Sequence, residues 1–228
     1  MKHLAVLILL VAACGAPAAR AQPCCGPIGS DGQRLAVFLD GTGVDHLWLP
    51  GRHVDWRSGE TDRPAPGGPE AKTHCSAFVA AVADRLGVYV LRPPEHPQEL
   101  LADAQVDWLA QQGRSQGWQP IGDAATAQRL ANSGWLVVAA FANPEPQRPG
   151  HIAVVRPSVK TAAELIADGP QETQAGETNA ISTSVATGFS HHRGAWQEGG
   201  TGGLRFYGHA IDWSRLGAGG EPVGAPAR

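Results

Sequence analysis

The sequence has no surplus of basic charge, no apolar run long enough to span a bilayer, no internal repeat and few cysteines, and each lack removes a class of function. Eighteen Lys plus Arg against 21 Asp plus Glu leave a formal net charge of -3. Nothing therefore favours a nucleic-acid partner, which calls for a basic face. The apolar run from Leu4 to Ala13 falls short of the roughly 20 residues that a transmembrane helix needs. Gly41-Thr42-Gly43 lacks the following Lys and helix of a phosphate-binding loop. No cofactor is called for. What remains is a chain of 228 residues, 43% apolar, enough for one globular domain around a single core once an export signal is removed. Its 29 Gly and 18 Pro imply long loops between the regular elements.

Lys2 and His3 before the apolar run form the basic and hydrophobic regions of an export signal. Two ends of that signal compete. Ala19-Arg20-Ala21 before Gln22 fits small-x-small cleavage and is preferred, giving a signal peptide over residues 1–21. Val11-Ala12-Ala13-Cys14 resembles a lipobox, which would lipid-anchor the chain at Cys14. Either way the expected location is periplasmic or extracellular. Cleavage before Gln22 leaves the adjacent Cys24 and Cys25 plus a solitary Cys75. An unpaired thiol is unusual in an oxidising compartment, and Cys75 becomes a candidate nucleophile. Cys24 and Cys25 could pair with each other, pair between chains, or lie in a flexible tail.

Residues 22–34 read as a flexible lead-in, 35–216 as the domain, and 217–228 as a disordered tail. Residues 57–72 are too rich in Gly and Pro for regular structure. From Ser76 the pattern changes. Phe78, Val79, Val82 and Leu86 share one helical face and Gly87 stands where a C-terminal cap belongs, so Cys75 heads a helix. Further helices are predicted over about 99–112, 123–132 and, less clearly marked, 161–167. Trp135 to Phe141 and Ile152 to Val155 read as apolar strands, with more strands at 170–174 and 204–208. The fold class is α+β, an opening helix packed on an antiparallel sheet.

A thiol in the first turn of a helix faces unpaired backbone N–H groups and the positive end of the macrodipole, which favours thiolate. Its bland counterpart is a buried packing residue, because free Cys is among the most buried types. A general base must come within hydrogen-bond reach and titrate near working pH, which points to His. His151 is the best of the nine. It follows Pro149-Gly150, where the Gly leaves room for substrate, and opens the strand Ile152-Ala153-Val154-Val155. His74 flanks the nucleophile.

Cys75-Ser76-Ala77-Phe78-Val79 heading a helix, followed by Gly150-His151-Ile152-Ala153-Val154-Val155, resembles the paired motifs of papain-like amidases of the NlpC and CHAP type. The likeness covers roughly residues 70–175. It implies a papain-like fold, a Cys75–His151 acyl-enzyme mechanism, and peptide or amide bonds of peptidoglycan as substrate. It also implies a third polar residue on the strand after that of His151. Glu172 and Gln174 share one face there by alternation, and Asn179 is a further choice. Gln174 is preferred for its place near the strand end.

The Cys75 backbone N–H is the natural oxyanion donor. Trp48, Trp56 and His53, with Asp55, could line a cleft for sugars and stem peptides, or the two Trp could pack their loop onto the core. His191, His192 and His209 are potential zinc ligands, but their spacing matches no closed zinc pattern and a vicinal His pair is usually solvated, so no metal is assigned. The expectation is an exported cysteine amidase or endopeptidase. Its alternatives are a non-catalytic wall-binding domain on the same fold, or an acyltransferase using the same dyad.

Overall fold

The structure, a computed structural model, describes residues 23–63, 73–145, 148–197 and 202–217. The signal and lipobox readings, and the tail beyond Gly217, lie outside the described residues, as does the 64–72 part of the loop that precedes Cys75.

The chain begins with a correction. Residues 23–34 are not a free lead-in. Cys24 and Cys25 form a disulfide. Pro23 bridges Thr161, the Cys24 N–H donates to the Lys160 carbonyl, and the Gly29 N–H donates to that of Asn132. Helix α1 then spans Ser30–Asp40. Leu35, Phe38 and Leu39 are buried along one of its faces, a helical period that begins inside a segment whose Pro and Gly content had suggested a tail.

Two short strands, β1 (His53–Val54) and β2 (Thr61–Arg63), pair within the segment before Cys75. Helix α2 (Cys75–Arg85) follows and ends at Gly87 in the left-handed region (φ 70°), the cap its sequence predicts. Helices α3 (Leu101–Gln111), α4 (Ala124–Asn132) and α5 (Ala162–Asp168) match their predicted positions. Asp123 accepts the Thr126 N–H to cap α4, and Thr161 with Glu164 forms a capping box at α5.

The remaining strands, β3 (Gln119–Ile121), β4 (Leu136–Phe141), β5 (His151–Val155), β6 (Gln171–Gln174), β7 (Ala180–Ser184) and β8 (Arg205–His209), make one antiparallel sheet in the order β3-β8-β4-β5-β6-β7. A four-residue helix α6 (Val185–Gly188) follows β7. The fold is α+β with an antiparallel sheet. Strands β3 and β7 escape the sequence reading because they are short and only partly buried, so neither shows an apolar run.

Register sorts the central strands onto two faces. Phe141 pairs His151, Ala139 pairs Ala153 and Val137 pairs Val155; between them Ala140 pairs Ile152 and Val138 pairs Val154. The second set packs with α2, α3 and α1 in one core that includes Cys75, Phe78, Trp48 and Trp118. The first set packs with Phe206, Phe189, Val185 and Ala127 in another. His151 thus sits at the N-terminal end of β5, where these two cores meet.

Candidate functional site

Cys75 opens α2 and is buried, with 4% of its surface exposed. The N–H groups of Ile152, Ser76 and Cys75 itself reach the sulfur and favour its charged form, but burial outweighs them and, with the Asp103 carboxylate nearby, pushes the thiol from 9.0 up to about 11. The amides at the helix start therefore favour the thiolate without setting the balance. Three amides cannot offset loss of water around the sulfur. Ile152, whose amide acts on the thiol, directly follows His151.

His151 is buried and its Nε2 lies 2.7 Å from Gln174 Oε1. The orientation of that amide is fixed by its other end. Gln174 Nε2 is 3.0 Å from the Thr178 carbonyl, which can only accept. Oε1 must then face the ring, His151 must donate from Nε2, and Nδ1 is left unprotonated as the nitrogen able to take a proton. Burial, and secondly the charge of His192, hold the imidazole pKa down, from 6.5 to about 3, against the opposite pull of the Gln174 bond. Thiol and imidazole are consequently both neutral across the ordinary pH range.

The other two choices for the third residue have different surroundings. Glu172 lies on the Gln174 face of β6, fully buried, and neither of its carboxylate oxygens finds a hydrogen-bond partner. Burial raises its pKa well above 4.5, with Lys160 pulling the other way, which favours the neutral acid. Asn179 instead donates to the carbonyls of Val44, Leu47 and Trp48 and accepts the Gly176 N–H. It fastens the β6–β7 turn to the chain after α1.

The residues proposed from sequence as a cleft have partners within the segment before α2. Trp48 is buried, meets Phe78 edge-on at 5.3 Å and donates its indole N–H to the Trp56 carbonyl. Trp56 lies under the guanidinium groups of Arg57 and Arg92. Asp55 accepts the N–H groups of Arg57 and Ser58, closing a turn, and the His53 ring pairs with the Asp62 carboxylate at 2.5 Å. His74 Nε2 meets the Arg52 carbonyl at 2.8 Å. These side chains pack the segment that leads into α2. A cleft of about 670 Å³ is lined by His151, Gln174, Gly176, Thr73, His191 and His192, among others. Cys75 is not among the residues that line it.

Two residues matter here in roles that the sequence did not give them. Asp103, in the first turn of α3, accepts the N–H groups of Asn143 (3.0 Å) and Gly150 (2.9 Å) and so pins the loop that delivers His151. In sequence it is indistinguishable from any acidic residue favouring a helix N-terminus. Gly150 lines the same cleft and is also closely packed. A Cβ there would stand 2.2 Å from the Phe141 carbonyl and 2.5 Å from Asp103 Oδ1, so the glycine permits that close approach. The second residue is His192, which stacks on His151. His191 beside it is solvated, within 3.7 Å of Glu177, and His209 is held by the carbonyls of Ala210 and Gln116. Among the described residues no group of three or more His, Cys, Asp or Glu is placed to hold a metal ion, and no helix is long and apolar enough to cross a membrane.

No family model matches the chain, and no curated protein matches it.

Proposed function

We propose that the chain is an exported cysteine hydrolase with a papain-like domain of the NlpC or CHAP type, cleaving peptide or amide bonds of peptidoglycan or its stem peptides. One observation carries the reading: Cys75 heads its helix near enough to the Ile152 amide, next after His151, for that N–H to favour its thiolate, while Gln174 holds His151 as the Nε2–H tautomer with Nδ1 free. The substrate class rests on the resemblance of the two motifs. The Cys24–Cys25 disulfide suits an oxidising, exported location.

The step follows from neutral partners. Nδ1 of His151 accepts the Cys75 proton as the sulfur bonds to the carbonyl carbon, and the resulting oxyanion lies against the Cys75 N–H. Collapse breaks the C–N bond, the amine leaves with the proton from Nδ1, and a thioester remains. Water then gives a proton to Nδ1 and its oxygen to the thioester carbon, releasing the acid and restoring the thiol. Because thiol and imidazole rest uncharged, proton transfer accompanies attack; no stored ion pair precedes it.

Purified sacculi incubated with the full chain test this. Cys75→Ala is expected to lower product release by at least about 10³-fold while sacculus binding persists. Unaltered release by Cys75→Ala removes Cys75 from the mechanism. The buried, protonated thiol favours one second reading, a wall-binding domain without turnover, for which the unmodified chain would bind sacculi and release nothing. Product masses separate hydrolysis, which adds water, from acyl transfer to an amine or lipid.

A further inference from the structure

His192 lies face to face with His151, ring centroids 5.0 Å apart and planes within 9°. Phe189 meets the same His151 ring edge-on at 4.6 Å, and Phe141 and Phe189 flank His192 at 6.0 and 6.2 Å. The segment after α6 is folded to present it: the His192 N–H donates to the Phe189 carbonyl and the Ala195 N–H to that of His192. Gln174 fixes the His151 ring within its plane. Among the described residues Phe189 and His192 are the rings that meet it across the plane, and His192 lines the cleft with it.

We propose that His192 is a positioning residue for the Cys75–His151 reaction, which holds the catalytic ring by stacking while neutral and bars that ring from taking the thiol proton while charged. The inference rests on the hydrolase reading above. When Nδ1 receives the Cys75 proton, His151 becomes a cation. A neutral stacked imidazole tolerates that charge, whereas a protonated one sets two like charges ring against ring in a half-buried site. Phenylalanine would cover the ring equally well without this sensitivity.

The groups facing His192 are His151 beneath it, the adjacent His191, Asp103 from α3 and Glu177 from the turn after β6. Glu145, Arg148 and Arg193 line the same cleft. Burial and His191 lower the proton affinity of His192, the two carboxylates raise it, and the outcome lies below 6.5. His151 itself, at about 3, titrates too low to govern activity in mildly acidic solution. Raising pH through the His192 pKa therefore switches activity on.

The test uses the full chain, its His192→Phe and His192→Gln variants, and two readouts: the pH profile of kcat/KM on sacculi, and the ¹³Cε1 resonance of His151. The unmodified protein should lose about tenfold in kcat/KM per pH unit below the His192 pKa, with a step in the His151 resonance at the same pH. In His192→Phe the step should vanish and the acid limb should move down by at least about one pH unit. His192→Gln should shift the limb likewise but lower kcat at unaltered KM, since an amide does not hold the ring. A limb and a resonance step that persist in both variants overturn the proposal. If the unmodified chain hydrolyses nothing, the hydrolase reading fails alone, and the His151 resonance still decides the coupling.

Discussion

The two sides of β5 were built from one five-residue strand and do different work. Ile152 and Val154 face α2 among Phe78, Val79 and Val82, all apolar and with essentially no exposure. His151, at the strand end where the two cores meet, has the opposite parity, and beside it the continuing face of β6 carries Glu172 and Gln174, both buried. One side gains from removing apolar surface from water. The other spends part of that gain on polar groups, among them a carboxyl with two unpartnered oxygens. Such a cost is tolerated where a site needs an imidazole held neutral in one tautomer, and the dry side supplies the stability that permits it.

Breaking the polar side at its hydrogen bond should have the largest effect. Gln174→Ala removes the group that fixes the His151 tautomer, and kcat on sacculi should fall by about 10²-fold with little change in KM. A KM effect alone would make Gln174 a cleft wall and no more. Next comes packing against the buried carboxyl. A Cβ at Gly188 would stand 1.8 Å from Glu172 Oε1, whereas one at Gly122 meets nothing within 4 Å. Gly188→Ala should cost about 1–3 kcal/mol in urea unfolding and Gly122→Ala no more than about 0.5 kcal/mol. Equal costs would show that the polar side has slack.

The smallest effect sharpens the comparison through pH. The folded pKa of His151 is depressed to about 3 from 6.5, so between those values the unfolded chain binds a proton that the folded chain refuses. Stability from this group is complete above about 6.5 and declines as pH falls, by up to about 1.4 kcal/mol per pH unit. His151→Gln should flatten that slope in urea unfolding between pH 6 and 5. Glu172 acts with the opposite sense. Its raised pKa makes its burial cheapest below 4.5 and more costly as pH rises towards the folded value. An unaltered slope in His151→Gln would mean that the ring is solvated.

Local pattern alone determined a good deal here. The period of Phe78, Val79, Val82 and Leu86 with Gly87 after it sets α2 and puts Cys75 at its head. Runs of apolar residues set β4 and β5, and alternation along β6 places Glu172 and Gln174 on one face. These are short-range consequences of helical and strand geometry. The lead-in was misjudged because Pro and Gly there mark turns, and what ties Pro23 and Cys24 to the Lys160–Thr161 segment lies more than a hundred residues away.

Which polar residue meets His151, whether the thiol is charged, and what covers the imidazole were decided only by tertiary structure. Gln174 and Glu172 have the same parity, and register together with the Thr178 carbonyl selects between them. The ionisation of Cys75 depends on how much water is excluded by chain segments distant in sequence. His192 reads as half of a solvated pair until the chain after α6 folds over β5. Hydrogen bonds and desolvation act through space at a few ångströms, and no spacing along the chain encodes that distance.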